Sequence, residues 1–580
     1  MSDGQSGEQG SERAAAGDES AIARRPLLRR ALTGLAAGAL LTAALLAASV
    51  VGAHYGAPSI PYSIFEWLTR VMPGLLVIFG LETTLHVLEA LGLSIKDTGK
   101  AVEIAQAFTG LLVTGAVVGL LFFVLVRGDD RLRVTRSGEV LGVALGIACY
   151  LIVLDTSPPA TFISHVTWAL WIVGSVFVWG WALARLRLAV ARPGRPAPLA
   201  VPATPDSPPA YVPLERPGRL EPAAQAETLD RRHFLIRIGG TVATIVVLGA
   251  EVGDILSAET GVATPRPVGA PIPFPNAGSP VRAVPGTRLE YTPVADFYRV
   301  DIDLEPPAID GLAWRLKIGG LVDRPVSLTL AELKAGFRST DQFATLSCIS
   351  NPVGGPLIST TLWTGPPFRD VLASVGVQPQ AGYAHLLAQD GFDEAVDLAT
   401  VRGDPRVILA HTWNGQPLPT EHGYPLRVFV PGHYGMKQPK WITEIVLVPD
   451  FIPGYWVTRG WDKQAIVKTT SVIDVVATNH LLMSGGRITV PVGGIAYAGD
   501  RGISKVEVQV DGGPWQQAEL RAPLSQLTWV IWRYQWPFRR GEHVFAVRAY
   551  DGTGALQITQ PQGTFPSGAS GIATMSAVVT

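Results

Sequence analysis

The sequence predicts a multi-domain protein with an N-terminal α-helical transmembrane bundle, a central α+β domain and a C-terminal all-β domain. The chain has 580 residues, which is too many for a single hydrophobic core. Charged residues make up 16% of the chain, against roughly 25% in soluble proteins, and the mean hydropathy is +0.26. Long apolar runs fill much of the first third, whereas short strand-like runs dominate the second half.

Charge and cysteine content exclude two classes of protein. The net charge is -1, so no basic surface indicates a nucleic-acid partner. The chain contains only two cysteines, Cys149 and Cys348, which excludes a disulfide-rich scaffold. Cys149 lies in an apolar run, so any cysteine chemistry falls to Cys348.

The N-terminal segment predicts a cytoplasmic tail followed by membrane helices. Residues 1–30 form the predicted tail, which is rich in Ser, Gly, Glu and Ala and is expected to be disordered. Four arginines at 24–30 precede the first apolar run and place this end in the cytoplasm. The bundle is predicted over 31–190, with apolar runs at about 31–53, 71–95, 101–126, 140–154 and 161–183.

The sequence does not determine the number of membrane crossings. Arginine-rich segments at 127–136 and 185–195 both indicate the cytoplasmic side, and five simple crossings do not satisfy both. The run 71–95 contains Pro, Gly, Glu and His, which leaves three alternatives open: a re-entrant segment, an interfacial segment or one packed within the bundle. His86 and His165 lie in apolar runs and are candidate ligands of a b-type haem that would accept electrons.

A proline-rich linker over 191–230 precedes a twin-arginine-like signal anchor predicted at 231–252. Arg231 and Arg232 are followed by His-Phe-Leu and a modest apolar stretch, which resembles a twin-arginine export signal. The alternative is an ordinary basic flank before a last membrane helix. The export signal predicts a multi-pass protein of the cell membrane whose chain lies outside the cytoplasm from a linker at 253–288 onward.

Two regions with different sequence patterns follow the linker. Residues 289–468 mix short strands, turns and helices, which predicts an α+β domain, and they show no Gly-rich nucleotide motif. Residues 469–580 contain regularly spaced strand-like runs separated by Gly-rich turns. About seven short strands over ~100 residues is typical of an immunoglobulin-like sandwich.

Cys348 is the strongest candidate for a residue with a chemical role. It follows a strand signal, Ala344–Ser347, and runs into Ser-Asn-Pro and Gly-Gly turn residues. It could be a small hydrophobic filler, a nucleophile or a single thiolate ligand of a metal. A nucleophile would need a histidine base, for which the sequence offers His411, His422 and His433.

Four motifs occur together around this cysteine. They are Thr345-Leu346-x-Cys348-x-x-Asn351, Trp363-Thr364-Gly365, His422-Gly423-x-Pro425-x-Arg427 and Gly435-x-Lys437-x-x-Lys440-Trp441. Their combination, over about 289–557, resembles the sulfite oxidase family of molybdopterin-dependent oxidoreductases, in its membrane-anchored bacterial type. The resemblance implies a molybdenum-molybdopterin cofactor, with Cys348 as the thiolate ligand of the metal. It also implies that the C-terminal domain pairs two subunits into a homodimer.

The same resemblance implies the rest of the site. Residues expected against the cofactor are Phe297, Tyr298, Arg299, Cys348, His422, Arg427, Lys437 and Lys440. Among them, Arg299 is expected near the metal, and His422 and Arg427 near the pterin and its phosphate. Convergent cations suit an anionic phosphate, and the fork of an arginine grips two of its oxygens.

Two departures from the family pattern concern the substrate. Pro352 and Val353 follow Asn351 where sulfite-oxidising members carry two arginines, and Trp461 stands where they place a tyrosine. We therefore predict Cys348, Arg299 and Trp461 as the catalytic set of an oxygen-atom transfer enzyme for a small molecule, either a sulfoxide or a sulfite-like compound. A quinone or cytochrome in or near the lipid bilayer would carry the electrons. The alternatives are a true sulfite oxidase and a non-catalytic binding protein.

Overall fold

The computed structural model describes residues 8–54, 57–74, 76–77, 79–80, 83–84, 95–128, 130–156, 162–191 and 273–580. The predicted linker, twin-arginine segment and anchor at 191–252 fall almost wholly outside these residues, as does His86. The chain forms two compact units, one of residues 1–70 and 102–263 and the other of 71–101 and 264–580.

Helices make up the described N-terminal part of the chain. They are α1 Glu8–His54, α2 Ile60–Val71, α3 Ile95–Leu125, α4 Arg131–Thr156 and α5 Phe162–Ala191. Four of these helices carry segments long and apolar enough to cross a membrane, namely Leu27–Ala53, Ala101–Leu125, Arg131–Thr156 and Ile163–Val190. They coincide with four of the five predicted apolar runs, and most of the fifth run, 71–95, lies outside the described residues.

The structure differs from the sequence prediction at two places in this part. Helix α1 begins at Glu8, within the segment expected to be a disordered tail. Ala and Glu are common there, and both are strong helix formers. Helix α2 was not predicted, because its 12 residues are too few to cross a membrane and Pro61, Ser63 and Glu66 interrupt its apolar run.

Glycines allow the long helices to pack backbone against backbone. Gly138, Gly142 and Gly146 lie one turn apart on α4. A Cβ atom on Gly142 would come within 2.9 Å of the Phe177 Cα atom and the Val176 carbonyl oxygen on α5. Small residues at this spacing are a common packing device between membrane helices, because the backbones approach closely.

A mixed sheet organises the α+β part of the second unit. Its strand order is β2-β1-β11-β5-β6, with β1 and β11 parallel and the other neighbours antiparallel. A second sheet has the order β3-β4-β8-β9, and β7 pairs with β10. The strands are β1 Leu316–Gly320, β2 Val326–Leu328, β3 Thr340–Ser347, β4 Ile358–Gly365, β5 Tyr383–Ala388, β6 Asp393–Asp397, β7 Ile408–Ala410, β8 Thr412–Trp413, β9 Gln416–Pro417, β10 Arg427–Phe429 and β11 Ile442–Val448. The helices are α6 Leu330–Gly336, α7 Phe368–Val375 and α8 Leu398–Gly403.

The C-terminal part consists of strands in two further sheets. One has the order β12-β14-β18-β17 with β13 beside β14, and the other has the order β16-β15-β19-β20. The strands are β12 Thr470–Val476, β13 Leu482–Ser484, β14 Arg487–Tyr497, β15 Ile503–Val510, β16 Gln516–Gln517, β17 Glu519–Leu520, β18 Val530–Pro537, β19 Gly541–Asp551 and β20 Ala573–Val579. The β-rich character is as expected, and the immunoglobulin-like arrangement stays a prediction.

The second sheet of the α+β part places the candidate cysteine. Strands β3 and β4 pair in antiparallel register from Thr340 opposite Gly365 to Ser347 opposite Ile358. Cys348 is therefore the first residue of the connection that leaves β3. The base of this hairpin is fixed from the C-terminal part, because the Tyr497 hydroxyl donates to the Thr345 carbonyl at 2.9 Å.

Candidate active site

The connection after β3 holds Cys348 in a hydrogen-bonded loop. The Cys348 N–H donates to the Leu357 carbonyl at 2.9 Å, and the Asn351 N–H donates to the Cys348 carbonyl at 3.2 Å. The Asn351 side-chain oxygen accepts from the Leu357 N–H at 2.9 Å. Asn351, which belongs to the motif, thus stabilises the loop that carries the cysteine through these hydrogen bonds.

The Cys348 thiol sits at the edge of an aromatic cluster. Its Sγ lies 3.0 Å from the Ser350 hydroxyl, and burial raises the pKa of the thiol. It packs against a buried cluster that includes Tyr298, Leu346 and Trp363. Among the described residues none of the three candidate bases bonds to it: His411 contacts Ser339 and Thr412, His433 contacts the Pro431 carbonyl, and His422 lies among aromatic rings.

Arg427, at the start of β10, is a buried cation and only 3% exposed. Its Nη1 donates to the His422 carbonyl at 3.0 Å, and its Cζ lies 4.9 Å from the centre of the Trp363 ring. Its Nε has no hydrogen-bond partner, and no carboxylate pairs with it, within the described part of the chain. Burial lowers the pKa of Arg427 to about 10, so it stays charged at neutral pH. A buried, uncompensated guanidinium fits an anionic ligand such as a pterin phosphate.

His422 lies beside Arg427 and carries no charge. It ends the short 3-10 turn Thr420–His422, with its ring 4.6 Å from that of Trp413 and 5.2 Å from that of Phe297. Burial, with the positive charges of Arg427 and Arg299, lowers the pKa of His422 to about 3. The imidazole is therefore neutral and is available as one donor and one acceptor.

Arg299 and Lys440 meet at one buried carboxylate. Asp301, whose side chain is 0% exposed, forms ion pairs with both of them. Lys440 also donates to the Glu421 carbonyl at 3.1 Å. Asp301 was missed in the sequence, although it stands two residues after Arg299. It reduces the positive charge that these two cations offer to a ligand.

Lys437 forms an ion pair with a different carboxylate, that of Glu394. Its Nζ lies 2.7 Å from Glu394 Oε1, and the two side chains are 5% and 0% exposed. Burial raises the pKa of Glu394, against the lowering effect of Lys437. Glu394 belongs to β6, 43 residues earlier in the chain, so no local spacing could reveal it.

Trp461 lies in a cluster next to the cysteine loop. It is 4% exposed and shares this cluster with Ile349, the residue after Cys348. Its ring packs on Phe565 at 5.4 Å and on Trp456 at 6.4 Å. The structure thus brings Phe297, Tyr298, Cys348, His422 and Arg427 together, with Trp461 in the adjacent cluster.

The part of the chain that contains Cys348, His422 and Arg427 is similar to known proteins. Residues 303–456 match the family described as oxidoreductase molybdopterin binding domain. A nitrate reductase of Hordeum vulgare is 29% identical over 309 residues, which cover 42% of this chain and 34% of that protein. Sulfite oxidase of Gallus gallus is 28% identical over 287 residues, covering 41% of this chain and 61% of that protein. Among solved structures, the sulfane dehydrogenase SoxCD from Paracoccus pantotrophus is 20% identical with a TM-score of 0.45, over 55% of this chain and 92% of that chain.

The matched domain and these relatives define an oxidoreductase that binds molybdopterin. Over about two fifths of its length the chain is similar to sulfite oxidases and nitrate reductases. The match spans about a third to three fifths of the length of these two relatives. A purely non-catalytic binding protein, one of the alternatives above, is therefore set aside.

Proposed function

We propose that this chain is a membrane-anchored molybdenum-molybdopterin oxidoreductase that transfers an oxygen atom outside the cytoplasmic membrane, and that its substrate is a sulfoxide or a similar uncharged compound. The observation that carries the substrate class is the charge balance of the four predicted cations, Arg299, Arg427, Lys437 and Lys440. Three of the four predicted cations are paired with buried carboxylates, Arg299 and Lys440 with Asp301 and Lys437 with Glu394.

Each residue has a proposed role toward the cofactor. Cys348 supplies the thiolate that binds the metal, and Arg427 and His422 hold the pterin and its phosphate. Phe297 and Tyr298 form the wall beside them. The bound cofactor supplies two-electron redox chemistry and oxygen-atom exchange. The overall reaction would be R2SO + 2 electrons + 2 H⁺ → R2S + H2O, with the electrons from a quinol or a reduced cytochrome.

Charge distinguishes a sulfoxide from sulfite at this site. Sulfite is a dianion at neutral pH, so its binding calls for preorganised positive charge and hydrogen-bond donors. Here Val353 replaces an arginine of the family pattern, and Arg299 is already paired with Asp301. The indole of Trp461 adds an apolar surface, which suits the body of an uncharged organic substrate.

Sulfite oxidation is the second candidate. The name of the similar protein in Gallus gallus, sulfite oxidase, supports it. The reaction would be sulfite + H2O → sulfate + 2 electrons + 2 H⁺, which is the opposite direction of electron flow. Arg427 would then have to contribute its charge to the substrate as well as to the pterin.

Membrane topology supports an extracytoplasmic active site. If the four long apolar helices each cross once, the N-terminus, the segment 127–136 and the residues after α5 all lie on one side. All three are arginine-rich, which agrees with a cytoplasmic location. The twin-arginine segment would then send the following domain to the opposite side. Pairing of two subunits through an immunoglobulin-like C-terminal domain, and a b-type haem at His165, are further parts of this proposal that rest on the sequence.

The test is cofactor content and turnover of the full chain in detergent. We expect about one molybdenum and one pterin per chain, and oxidation of a reduced artificial electron donor that depends on a methyl aryl sulfoxide. Protein that retains molybdenum but turns over neither sulfoxide nor sulfite would contradict the proposal.

A further inference from the structure

The hydroxyl of Tyr298 is a fixed donor beside the cysteine. Tyr298 is 5% exposed, and its ring stacks on Phe297 with 5.7 Å between centres and 13° between planes. Its N–H donates to the Ser359 hydroxyl at 3.1 Å. Ring and backbone are thus both held, while the hydroxyl makes no hydrogen bond within the described part of the chain.

Gly435 shows where this hydroxyl lies. A Cβ atom on Gly435 would be 3.1 Å from the Tyr298 hydroxyl and 3.6 Å from the carbonyl oxygen of Ser347, the residue before Cys348. The hydroxyl therefore lies close to the cysteine loop, in space that a glycine leaves open. Gly435 belongs to the motif with Lys437, and this close approach gives a physical reason for a glycine there.

Other buried tyrosines of this region use their hydroxyls internally. Tyr497 donates to the Thr345 carbonyl at 2.9 Å, and Tyr434 accepts from the Lys468 N–H at 3.2 Å. The Tyr298 hydroxyl, in contrast, has no hydrogen-bond partner in the described part of the chain and is not fully enclosed, although the residue as a whole is only 5% exposed. It is therefore accessible to a molecule that enters the site and can donate to it.

We propose that Tyr298 is a further catalytic residue, whose hydroxyl donates a hydrogen bond to the oxygen atom of the substrate. This inference rests on the proposed function and deepens it. A phenol has a pKa of about 10 and is neutral at pH 7, so it is a donor without charge. Negative charge grows on the oxygen as the S–O bond of a sulfoxide breaks, and a donor already in place stabilises it. Tyr298 thereby supplies the hydroxyl that Trp461 lacks.

The test is Tyr298→Phe in the full chain, which keeps the ring and removes only the hydroxyl. We expect molybdenum and pterin per chain to equal wild type, and kcat/KM for methyl aryl sulfoxide to fall about 10- to 100-fold, mainly in kcat. Infrared difference spectra with ¹⁸O-labelled sulfoxide give a readout that does not depend on turnover. The S–O stretch of the bound sulfoxide should be shifted to lower frequency in wild type and lose that shift in the variant.

Two further variants sharpen the result. Tyr550→Phe removes a hydroxyl in the C-terminal sheets that donates to Glu507 at 3.2 Å, so kcat/KM should stay within about threefold of wild type. Gly435→Ala places a methyl group against the Tyr298 hydroxyl, and it should lower kcat/KM in the same direction as Tyr298→Phe.

The outcomes separate this inference from the proposed function. Tyr298→Phe with wild-type kcat/KM and an unchanged S–O stretch, beside an active wild type, would overturn the role of Tyr298 alone. A loss of pterin in proportion to activity would overturn it too, because Tyr298 would then hold the cofactor. A wild type without molybdenum would overturn both.

Discussion

At the scale of single residues, Arg427 connects the geometry to the cofactor most directly. Its Nη1 and Nη2 point to the His422 and Gln438 carbonyls, and no buried carboxylate among the described residues compensates its charge. A cation in this state is costly unless an anion accompanies it. The charge therefore indicates that the folded site is complete only with its anionic ligand bound.

Arg427→Lys should therefore weaken cofactor retention. Lysine keeps the charge but cannot reach both carbonyls and a phosphate with a planar fork. Loss of one charged hydrogen bond, about 1.5 to 3 kcal/mol, corresponds to roughly 10- to 100-fold in affinity. Pterin and molybdenum per chain measure the effect. Arg521→Lys, at a partly buried arginine paired with Glu290, is the matched control and should keep its cofactor. A fully loaded Arg427→Lys would contradict the assignment.

Cys348→Ser should abolish turnover and leave the pterin in place. The serine hydroxyl replaces one ligand of the metal, whereas Arg427 and His422 still hold the organic part of the cofactor. Activity with sulfoxide and with sulfite, together with pterin content, measures the effect. Wild-type turnover in this variant would show that Cys348 is only a packing residue.

His411 should make the fold sensitive to acid. Burial, with the nearby charge of Lys334, lowers the pKa of His411 to about 4. Below the ordinary pKa of about 6.5, His411 binds a proton in the unfolded chain but not in the folded chain. The free energy of unfolding therefore falls as the pH drops toward 4. Between pH 7.5 and pH 5 the loss is about 2 kcal/mol.

Thermal midpoints at these two pH values test this for wild type and His411→Gln. The glutamine keeps a polar group for Ser339 and Thr412 but does not titrate. Tm should fall less on acidification in the variant than in wild type. An equal fall in both would show that other groups control the acid response.

At the scale of elements, local signals in the sequence predict much of the secondary structure. Thr329 caps α6 and forms a capping box with Glu332, as the Ser-Leu-Thr-Leu-Ala-Glu pattern indicates. Pro366 and Pro367 precede α7, where the fixed backbone angle of proline suits the start of a helix. Each of these signals acts within a few residues of the structure that it specifies.

The candidate site could be predicted only in part, because some of its contacts join residues that are far apart in the sequence. The structure places Cys348 and Phe297 in one cluster, His422 against Phe297 and Arg427 against His422, and their roles toward a cofactor stay predictions. The carboxylates Asp301 and Glu394, which neutralise three of the predicted cations, are contacts between distant segments, apart from the pair within Arg299-Val-Asp301. Pairings of this kind come from tertiary packing, which no spacing in the sequence encodes.

The Lys437–Glu394 pair gives a prediction at this scale. Lys437→Met leaves a buried carboxylate without its partner and should cost about 3 to 5 kcal/mol. The double variant Lys437→Met with Glu394→Leu removes both charges and should recover most of the loss in Tm. A double variant as unstable as the single one would contradict this prediction. It would show that the loss of stability does not come from the unpaired Glu394 carboxylate. Cofactor content of the double variant shows separately whether Lys437 contacts the pterin.

At the scale of the whole molecule, the proposed location of the catalytic domain outside the cytoplasmic membrane rests on the twin-arginine segment. Arg231→Lys together with Arg232→Lys should leave that domain on the cytoplasmic side. The substitutions keep the positive charge, so the positive-inside effect is unchanged and only recognition of the twin arginine is lost. External protease added to intact cells is the measurement. Digestion of the domain in the variant as in wild type would contradict the signal.

The specificity of the whole enzyme is the central claim, and one comparison tests it most directly. Steady-state kinetics of the loaded wild type, with an artificial electron carrier, give kcat/KM for sulfite and for methyl aryl sulfoxides. Without a second arginine at Val353 and a hydroxyl at Trp461, sulfite should lose roughly two to four powers of ten. We predict a sulfoxide constant well above that of sulfite. A sulfite constant of about 10⁶ M⁻¹s⁻¹, within the range of efficient enzymes, would contradict the account and make sulfite the substrate.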